Sequence, residues 1–172
     1  FSIIFPVWNK TEEMLQAALD SITSQVYDNW EICISDGSSK NVKERRDFLK
    51  NFAKEYGKKI KFSTIDIDGI NIIENSNNAL SMATGEYVVF MDCDDEISSN
   101  CLLELAKSIN TDRDVEFLYS DFDKIDEDGK RFDPSFWPDW SPHTLTSQMY
   151  TTHITCYKRD IVKELGGLVK GT

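Results

Sequence analysis

Short apolar runs alternate with longer amphipathic stretches through residues 1–119, and that alternation limits the chain to very few architectures. Residues 1–5 (Phe1-Ser2-Ile3-Ile4-Phe5) read as a first buried strand, stopped by Pro6. A helix is expected over 11–25, with Leu15, Leu19, Ile22 and Val26 as its apolar stripe and Asn9 or Thr11 as its cap. Strands are expected at 30–34, 61–65, 87–91 and 115–119, and helices at 42–56, 75–83 and 99–109. This order predicts a doubly wound, mostly parallel α/β sheet. After residue 119 the pattern changes. Asp126-Glu127-Asp128-Gly129 is a hairpin-type turn, residues 132–142 are aromatic and broken by proline, 153–157 reads as a strand, and 159–165 as a helix stopped by Gly166-Gly167.

One strand ends in an unusual way. Tyr87-Val88-Val89-Phe90-Met91 runs directly into Asp92-Cys93-Asp94-Asp95. Carboxylates packed so closely repel one another and call for a cation. Two readings stand side by side: an Asp-x-Asp site for a divalent metal, or Asp95 capping the next helix with the other two acids solvated. Strands 1–5 and 30–34 also end in polar residues, and the carboxyl ends of parallel strands share one edge, where open α/β sheets bind ligands. That edge should gather Trp8, Asp36, Asp92 and Asp94. An indole face can stack on a base, a carboxylate can accept from a base N–H or a ribose hydroxyl, and a metal on Asp94 can bridge a diphosphate. The chain has neither G-x-x-x-x-G-K-[ST] nor G-x-G-x-x-G, so a P-loop and a dinucleotide fingerprint are both excluded.

Other candidates are weaker. Asp66-Ile67-Asp68 repeats the Asp-x-Asp spacing but precedes Gly69 without a long apolar strand, and reads as a loop. Asp121, Asp123, Asp126 and Asp128 before Gly129 miss the EF-hand spacing. Lys43, Arg45, Arg46, Lys50 and Lys54 read as the solvated face of helix 42–56. His143 is expected in an exposed loop. His153, at the start of a strand, is by type more often structural than a ligand. The tract 134–142, with Phe136, Trp137 and Trp140, reads either as core or as a platform for an acceptor sugar.

The acidic excess, 30 residues against 19 basic and a formal net charge of -11, argues against nucleic acid or an anionic membrane surface as partner. No apolar run reaches membrane-spanning length. The four cysteines (Cys33, Cys93, Cys101, Cys156) lack C-x-x-C spacing and read as reduced thiols of a cytoplasmic protein. The chain opens on Phe1 and closes on Gly171-Thr172, and is expected to be part of a larger protein with further domains.

These motifs together resemble the family 2 glycosyltransferases of GT-A fold. Four segments carry the likeness: Ser2-Ile3-Ile4-Phe5-Pro6-Val7-Trp8-Asn9, Ile34-Ser35-Asp36-Gly37-Ser38, Ala83-Thr84-Gly85-Glu86-Tyr87 and Met91-Asp92-Cys93-Asp94-Asp95. The tract 119–126 and Pro138-Asp139-Trp140-Ser141-Pro142 resemble a subgroup acting on bacterial surface polysaccharides and glycoproteins. The resemblance implies one GT-A domain over 1–172, with residues 1–110 binding the nucleotide-sugar and 111–172 beginning a short, mixed acceptor-side part that is truncated.

It also implies site roles. Pro6, Trp8, Asn9, Asp36, Asn71, Asp92 and Cys93 would hold the nucleotide-sugar, with Pro6 and Trp8 bordering the base and Asp36 bonding it. Asp94, Asp92 and His153 would hold Mn²⁺ or Mg²⁺. Asp121 and Trp140 would lie on the acceptor side. The implied reaction is inverting transfer of a sugar from a nucleotide-diphosphate sugar, UDP-linked by preference, to a hydroxyl of a glycan or glycoprotein. The implied location is the cytoplasm or the inner face of the membrane. A catalytically incomplete nucleotide-sugar-binding or scaffolding domain is the alternative. A nucleotidyltransferase is disfavoured because no Gly-rich basic loop follows the first strand. Departures from the family pattern are Ser35 where an acid is usual and the lack of an Arg in Asn75-Ser76-Asn77-Asn78. The family's catalytic base, an acid downstream of Gly166-Gly167, is expected beyond Thr172.

Overall fold

A computed structural model describes residues 1–39, 42–66, 71–126 and 128–170. Its principal sheet has the strands β1 (Ser2–Val7), β2 (Glu31–Asp36), β3 (Ile60–Thr64), β4 (Tyr87–Phe90), β5 (Phe117–Tyr119) and β8 (Thr155–Lys158), in the order β3-β2-β1-β4-β8-β5. β3, β2, β1 and β4 are parallel, and β8 is antiparallel to both β4 and β5. Strands β6 (Phe122–Ile125) and β7 (Arg131–Ser135) form a separate hairpin. The expected mostly parallel sheet with a mixed C-terminal part is therefore present, and β5 and β8 extend the same sheet that β1–β4 begin.

The helices are α1 (Glu12–Thr23), α2 (Val42–Tyr56), α3 (Ile72–Ser81), α4 (Cys101–Thr111), α5 (Pro142–Ser147) and α6 (Arg159–Glu164). Alternate β1 side chains separate two layers. Ile3, Phe5 and Val7 pack with Leu15, Leu19 and Ile22 of α1, Leu49 and Phe52 of α2, and Leu102 and Leu105 of α4. Ile4 instead packs with Cys33, Ala79, Leu80 and Val88, on the α3 side. Helices thus cover both faces, so the strands read as near-continuous apolar runs.

Several boundaries differ from the expectation for physical reasons. Pro6 does not stop β1 but lies inside it, opposite Ser35. The Val7 carbonyl accepts from Gly37 on the β2 side, whereas the Ile4 carbonyl accepts from Met91 on the other. By alternation Pro6 faces the side on which β4 has already ended, so its missing N–H costs no ladder bond. Thr11, not Asn9, caps α1 by accepting from the Met14 amide at 3.4 Å. Val26 lies beyond that helix and is 66% exposed. Asp95 caps no helix, because α4 begins at Cys101 behind Asn100. His143 lies in α5, not in a loop, and is exposed as expected.

The face of α2 expected to be solvated is not uniformly so. Arg45 is buried, and its Nε donates to the Lys10 carbonyl at 2.9 Å. Of the aromatic tract, Phe136 and Trp140 are exposed, while Trp137 is half-buried against Phe122 and Tyr150. α6 ends in Gly166 and Gly167, both at positive φ, with the Gly167 amide donating to the Val162 carbonyl. Asn77 of α3 then holds the following residue from both sides, donating to the Leu168 carbonyl at 2.8 Å and accepting from its amide at 2.9 Å. Of the second Asp-x-Asp, Ile67, Asp68 and Gly69 lie outside the described residues, as do Glu127, Gly171 and Thr172. Among the described residues no helix is long and apolar enough to cross a membrane.

Candidate functional site

The parallel register puts the carboxyl ends of β1, β2 and β4 on one edge, since Val7 stands beside Asp36 and Ile4 beside Phe90. An open pocket of about 220 Å³ lies there, lined by Pro6, Trp8, Lys10, Asn71, Ile72, Asn75, Asp92, Cys93 and Asp94. Six residues expected to contact donor or metal (Pro6, Trp8, Asn71, Asp92, Cys93 and Asp94) are therefore brought together from three separate parts of the sequence.

The walls are fixed by polar side chains that tie loops to helices. Asn71 caps α3 by accepting from the Glu74 amide at 3.1 Å. Asn75 is buried one turn later; it donates to the Val7 carbonyl at 2.9 Å and accepts from the Ser35 hydroxyl at 2.6 Å. Ser35 in turn accepts from Asn78 at 2.7 Å. A hydroxyl can donate and accept at once, so the serine found where the family usually has an acid joins β2 to α3. On the far wall the Trp8 amide donates to the Cys93 sulfur, and burial pushes the Cys93 thiol up to about 11. Cys93 is therefore a neutral packing group at the pocket floor.

Two expected donor residues stand behind the pocket. Asp36 is fully buried, with Oδ1 accepting from the Ser38 amide at 3.0 Å and Oδ2 from Arg46 Nε at 3.1 Å. A carboxylate so deep needs such partners, and Arg46 is a functional neighbour missed by the sequence reading. Asn9 is at positive φ and links the β1–α1 loop to the β2–α2 loop. Its side-chain oxygen accepts from the Ser39 amide at 3.2 Å, and its own amide donates to Ser38 Oγ at 2.9 Å.

The acids after β4 divide into two groups. Asp92, Asp95 and His153 place ligand atoms within 4.8 Å of one another. Asp95 Oδ2 lies 3.1 Å from His153 Nδ1. The turn that presents them is closed by the Asp95 amide donating to the Asp92 carbonyl. Burial, with Asp92 and Asp94 nearby, pushes the Asp95 carboxyl upward despite His153. Asp94 stands apart from this trio and pairs with Lys10 Nζ at 2.5 Å, an interaction that raises the Lys10 pKa. Two of the three expected metal ligands, Asp92 and His153, are thus joined by Asp95. Two carboxylates and an imidazole fit an ion of the Mn²⁺ type, which accepts both oxygen and nitrogen donors.

His153 is held from the β5 side. Its carbonyl accepts from Ser120 Oγ at 3.0 Å, the Ile154 amide donates back to the same oxygen, and the Phe122 ring stands edge-on to the imidazole at 5.3 Å. Asp121 lies between these two contacts and accepts from the Trp137 amide at 2.8 Å. Trp140 is 56% exposed and meets Phe117 edge-on. Two further hairpin acids have internal partners: Asp123 pairs with Arg131, and Asp126 accepts from the amides of Asp128 and Lys130.

Known proteins share this fold. The solved structure of S. aureus TarS 1-349 in complex with UDP-GlcNAc superposes with a TM-score of 0.75 at 21% identity, over 96% of this chain and 47% of that one. The mannosyltransferase PcManGT of Pyrobaculum calidifontis, solved with GDP-Man and Mn²⁺, gives 0.70 at 18% identity, over 98% and 47%. At these identities the likeness establishes the GT-A fold. In sequence, the O-antigen biosynthesis protein RfbC of Myxococcus xanthus is 31% identical over 99% of this chain, which spans 13% of that protein's length. A beta-1,3-glucosyltransferase of Campylobacter jejuni, acting on GalNAc(5)-diNAcBac-PP-undecaprenol, is 32% identical over 63% of this chain and 34% of its own. The family profile described as Glycosyl transferase family 2 matches residues 2–166, which takes in every strand and helix lining the pocket. With acid-ended β4, the pocket at the parallel edge and this match in hand, the chain belongs to glycosyl transferase family 2.

Proposed function

We propose that the pocket binds the nucleoside diphosphate of an activated sugar, UDP-linked by preference, and that the protein transfers that sugar with inversion to a hydroxyl of a glycan or glycoprotein. The observation that carries the reading is the meeting of Trp8, Asn71, Asn75 and Asp92 around one pocket, with the Asp92–Asp95–His153 cluster beside it. Trp8 and Pro6 offer flat apolar surface to a base, and Asp92 is exposed and free to accept from ribose hydroxyls. Asp92, Asp95 and His153 would hold Mn²⁺ or Mg²⁺, with Asp94 joining them once released from Lys10. When bound, the metal supplies charge neutralisation to the departing diphosphate.

In the transfer step the acceptor oxygen bonds to the anomeric carbon as that carbon's bond to the diphosphate breaks. A general base takes the hydroxyl proton. Ser120 and Phe122 hold the backbone and ring of His153, so the segment carrying Asp121 borders the cluster. We place the acceptor on that side, with exposed Trp140 offering a face for sugar C–H surfaces. The UDP-GlcNAc and GDP-Man complexes of the similar structures support the donor class. The cytoplasmic location and the further domains expected from the sequence remain parts of this proposal.

The test is a panel of UDP- and GDP-sugars in hydrolysis and transfer assays with Mn²⁺ on the full-length protein, run alongside Asp94→Ala and Asp92→Asn. Metal-dependent turnover of one donor, lost in both variants, is the expected result. Turnover unchanged in both would sink the site assignment. Metal-dependent nucleotide binding without turnover of any donor would favour the scaffolding reading.

A further inference from the structure

The ion pair between Lys10 and Asp94 crosses the pocket mouth from the β1–α1 loop to the β4 end, 84 residues apart in sequence. Three features make it unlike an ordinary surface pair. First, Lys10 is the one cation among the described residues that line the pocket, and the stretch 75–78 on the facing helix holds no basic residue. Second, the backbone of Lys10 is fixed while its ammonium end reaches the surface. Its carbonyl accepts from buried Arg45, Asn9 before it is bonded to Ser38 and Ser39, and Thr11 after it caps α1. The ammonium end, by contrast, sits at the surface, with the side chain 36% exposed. Third, Asp94 is paired with Lys10 and is not a member of the neighbouring Asp92–Asp95–His153 cluster.

We propose that Lys10 is an exchangeable counter-ion, which neutralises Asp94 in the empty pocket and moves to a phosphate oxygen when a nucleoside diphosphate enters, leaving Asp94 for the divalent cation. This inference rests on the nucleotide-sugar reading above. The charge argument runs in one direction. With the pocket empty, Asp94 needs a cation and Lys10 is within reach. A diphosphate brings more negative charge than Asp94 and presents several acceptor oxygens to a four-carbon stem that turns freely. Releasing Asp94 adds a carboxylate to the ligand set just as the diphosphate arrives. Nucleotide and metal therefore strengthen each other's binding, and by linkage the two factors are equal. Lys10 also supplies the phosphate cation that residues 75–78 do not.

The test uses the protein and two variants, Lys10→Met and Lys10→Arg, with Mn²⁺ binding read by electron paramagnetic resonance and UDP and GDP binding by calorimetry. In the unaltered protein, UDP or GDP tightens Mn²⁺ binding about tenfold or more. Lys10→Met is expected to bind Mn²⁺ alone more tightly, to bind nucleotide about tenfold more weakly in saturating Mn²⁺, and to lose the part of the coupling that release of Asp94 supplies. Lys10→Arg keeps the charge and restores the coupling. Equal coupling in Lys10→Met and the unaltered protein overturns the exchange while leaving the nucleotide site intact. No nucleotide binding by the unaltered protein, with or without Mn²⁺, overturns both readings. Weaker nucleotide binding in Lys10→Met with coupling unchanged assigns Lys10 a fixed contact and overturns the exchange.

Discussion

Glu31 at the amino edge of the parallel sheet and the acids that follow β4 at its carboxyl edge are partnered in opposite ways. At the amino edge, Glu31 opens β2 and is surrounded by several donors at once. Its Oε1 accepts from Ser2 Oγ, the Thr84 amide and Thr84 Oγ1, and its Oε2 meets Lys61 Nζ at 2.6 Å. Burial alone would raise its pKa, but these bonds from Lys61, Ser2 and Thr84 outweigh it and bring the carboxyl down from 4.5 to about 2. At the end of β4, burial dominates at Asp95 and pushes its carboxyl upward, its partner is a half-exposed histidine, and Asp94 beside it has a single partly exposed lysine as partner. An acid saturated by fixed donors is a fastener. Acids neutralised by movable or partial partners are ready to exchange them for a ligand.

The contrast is open to test, beginning with the largest effect. Asp95→Asn should weaken Mn²⁺ binding on the order of a hundredfold, since it removes a carboxylate from a three-ligand cluster, while the unfolding midpoint holds or rises as repulsion with Asp92 and Asp94 falls. Unaltered Mn²⁺ affinity would remove Asp95 from the metal set. At the opposite edge the signs reverse. A Cβ on Gly85 would lie 2.8 Å from both the Ser2 nitrogen and its hydroxyl, the group that fastens Glu31. Gly85→Ala should therefore cost about 1–3 kcal/mol of stability with nucleotide affinity unchanged. Chemical denaturation and calorimetry on one sample separate the two.

The pH dependence gives a smaller signal. Because the folded pKa of Glu31 is depressed, its contribution is whole above the ordinary value of 4.5 and is lost as pH falls toward about 2. Stability measured down that range should fall less in Glu31→Gln than in the unaltered protein. Parallel curves would show that the donors around Glu31 do not hold it ionised in the fold. Smallest is Ser35→Ala, which leaves the Asn75 and Asn78 side chains without their shared hydroxyl and should cost about 1 kcal/mol. An intact midpoint would mean that Asn75 is positioned by Val7 alone.

Much of the carboxyl edge was legible because its signals are local. Residues 87–91 announce a buried strand, and the acids follow at once in sequence, so parallel order alone sends Trp8 and Asp92 to one side. What escaped depends on pairs distant in sequence. Asp95 reads as a cap for the helix that follows it, but its partner is His153, in the bend just before the strand that inserts between β4 and β5, where the sequence pattern starts that strand two residues early. Arg45 and Arg46 read as a solvated face because the chain as a whole is acidic. Yet Asp36 ends a strand buried from Ile32 onward, and a carboxylate so placed demands a cation, which was the available clue to Arg46. Asn75 carried a clue as well: it falls on the Ala79–Leu80 stripe of α3, where a polar residue must find buried partners. Pro6 misled because its ring signals a strand end, whereas only the side of β1 that it faces had ended.

The most direct measurement is calorimetric titration of the protein with UDP, and with GDP, in the presence and absence of Mn²⁺. The account predicts saturable nucleotide binding that tightens about tenfold or more with Mn²⁺ and that Asp92→Asn abolishes while Gly85→Ala preserves it. Binding indifferent to Mn²⁺, or lost equally in both variants, would contradict the division of labour between the two edges of the sheet.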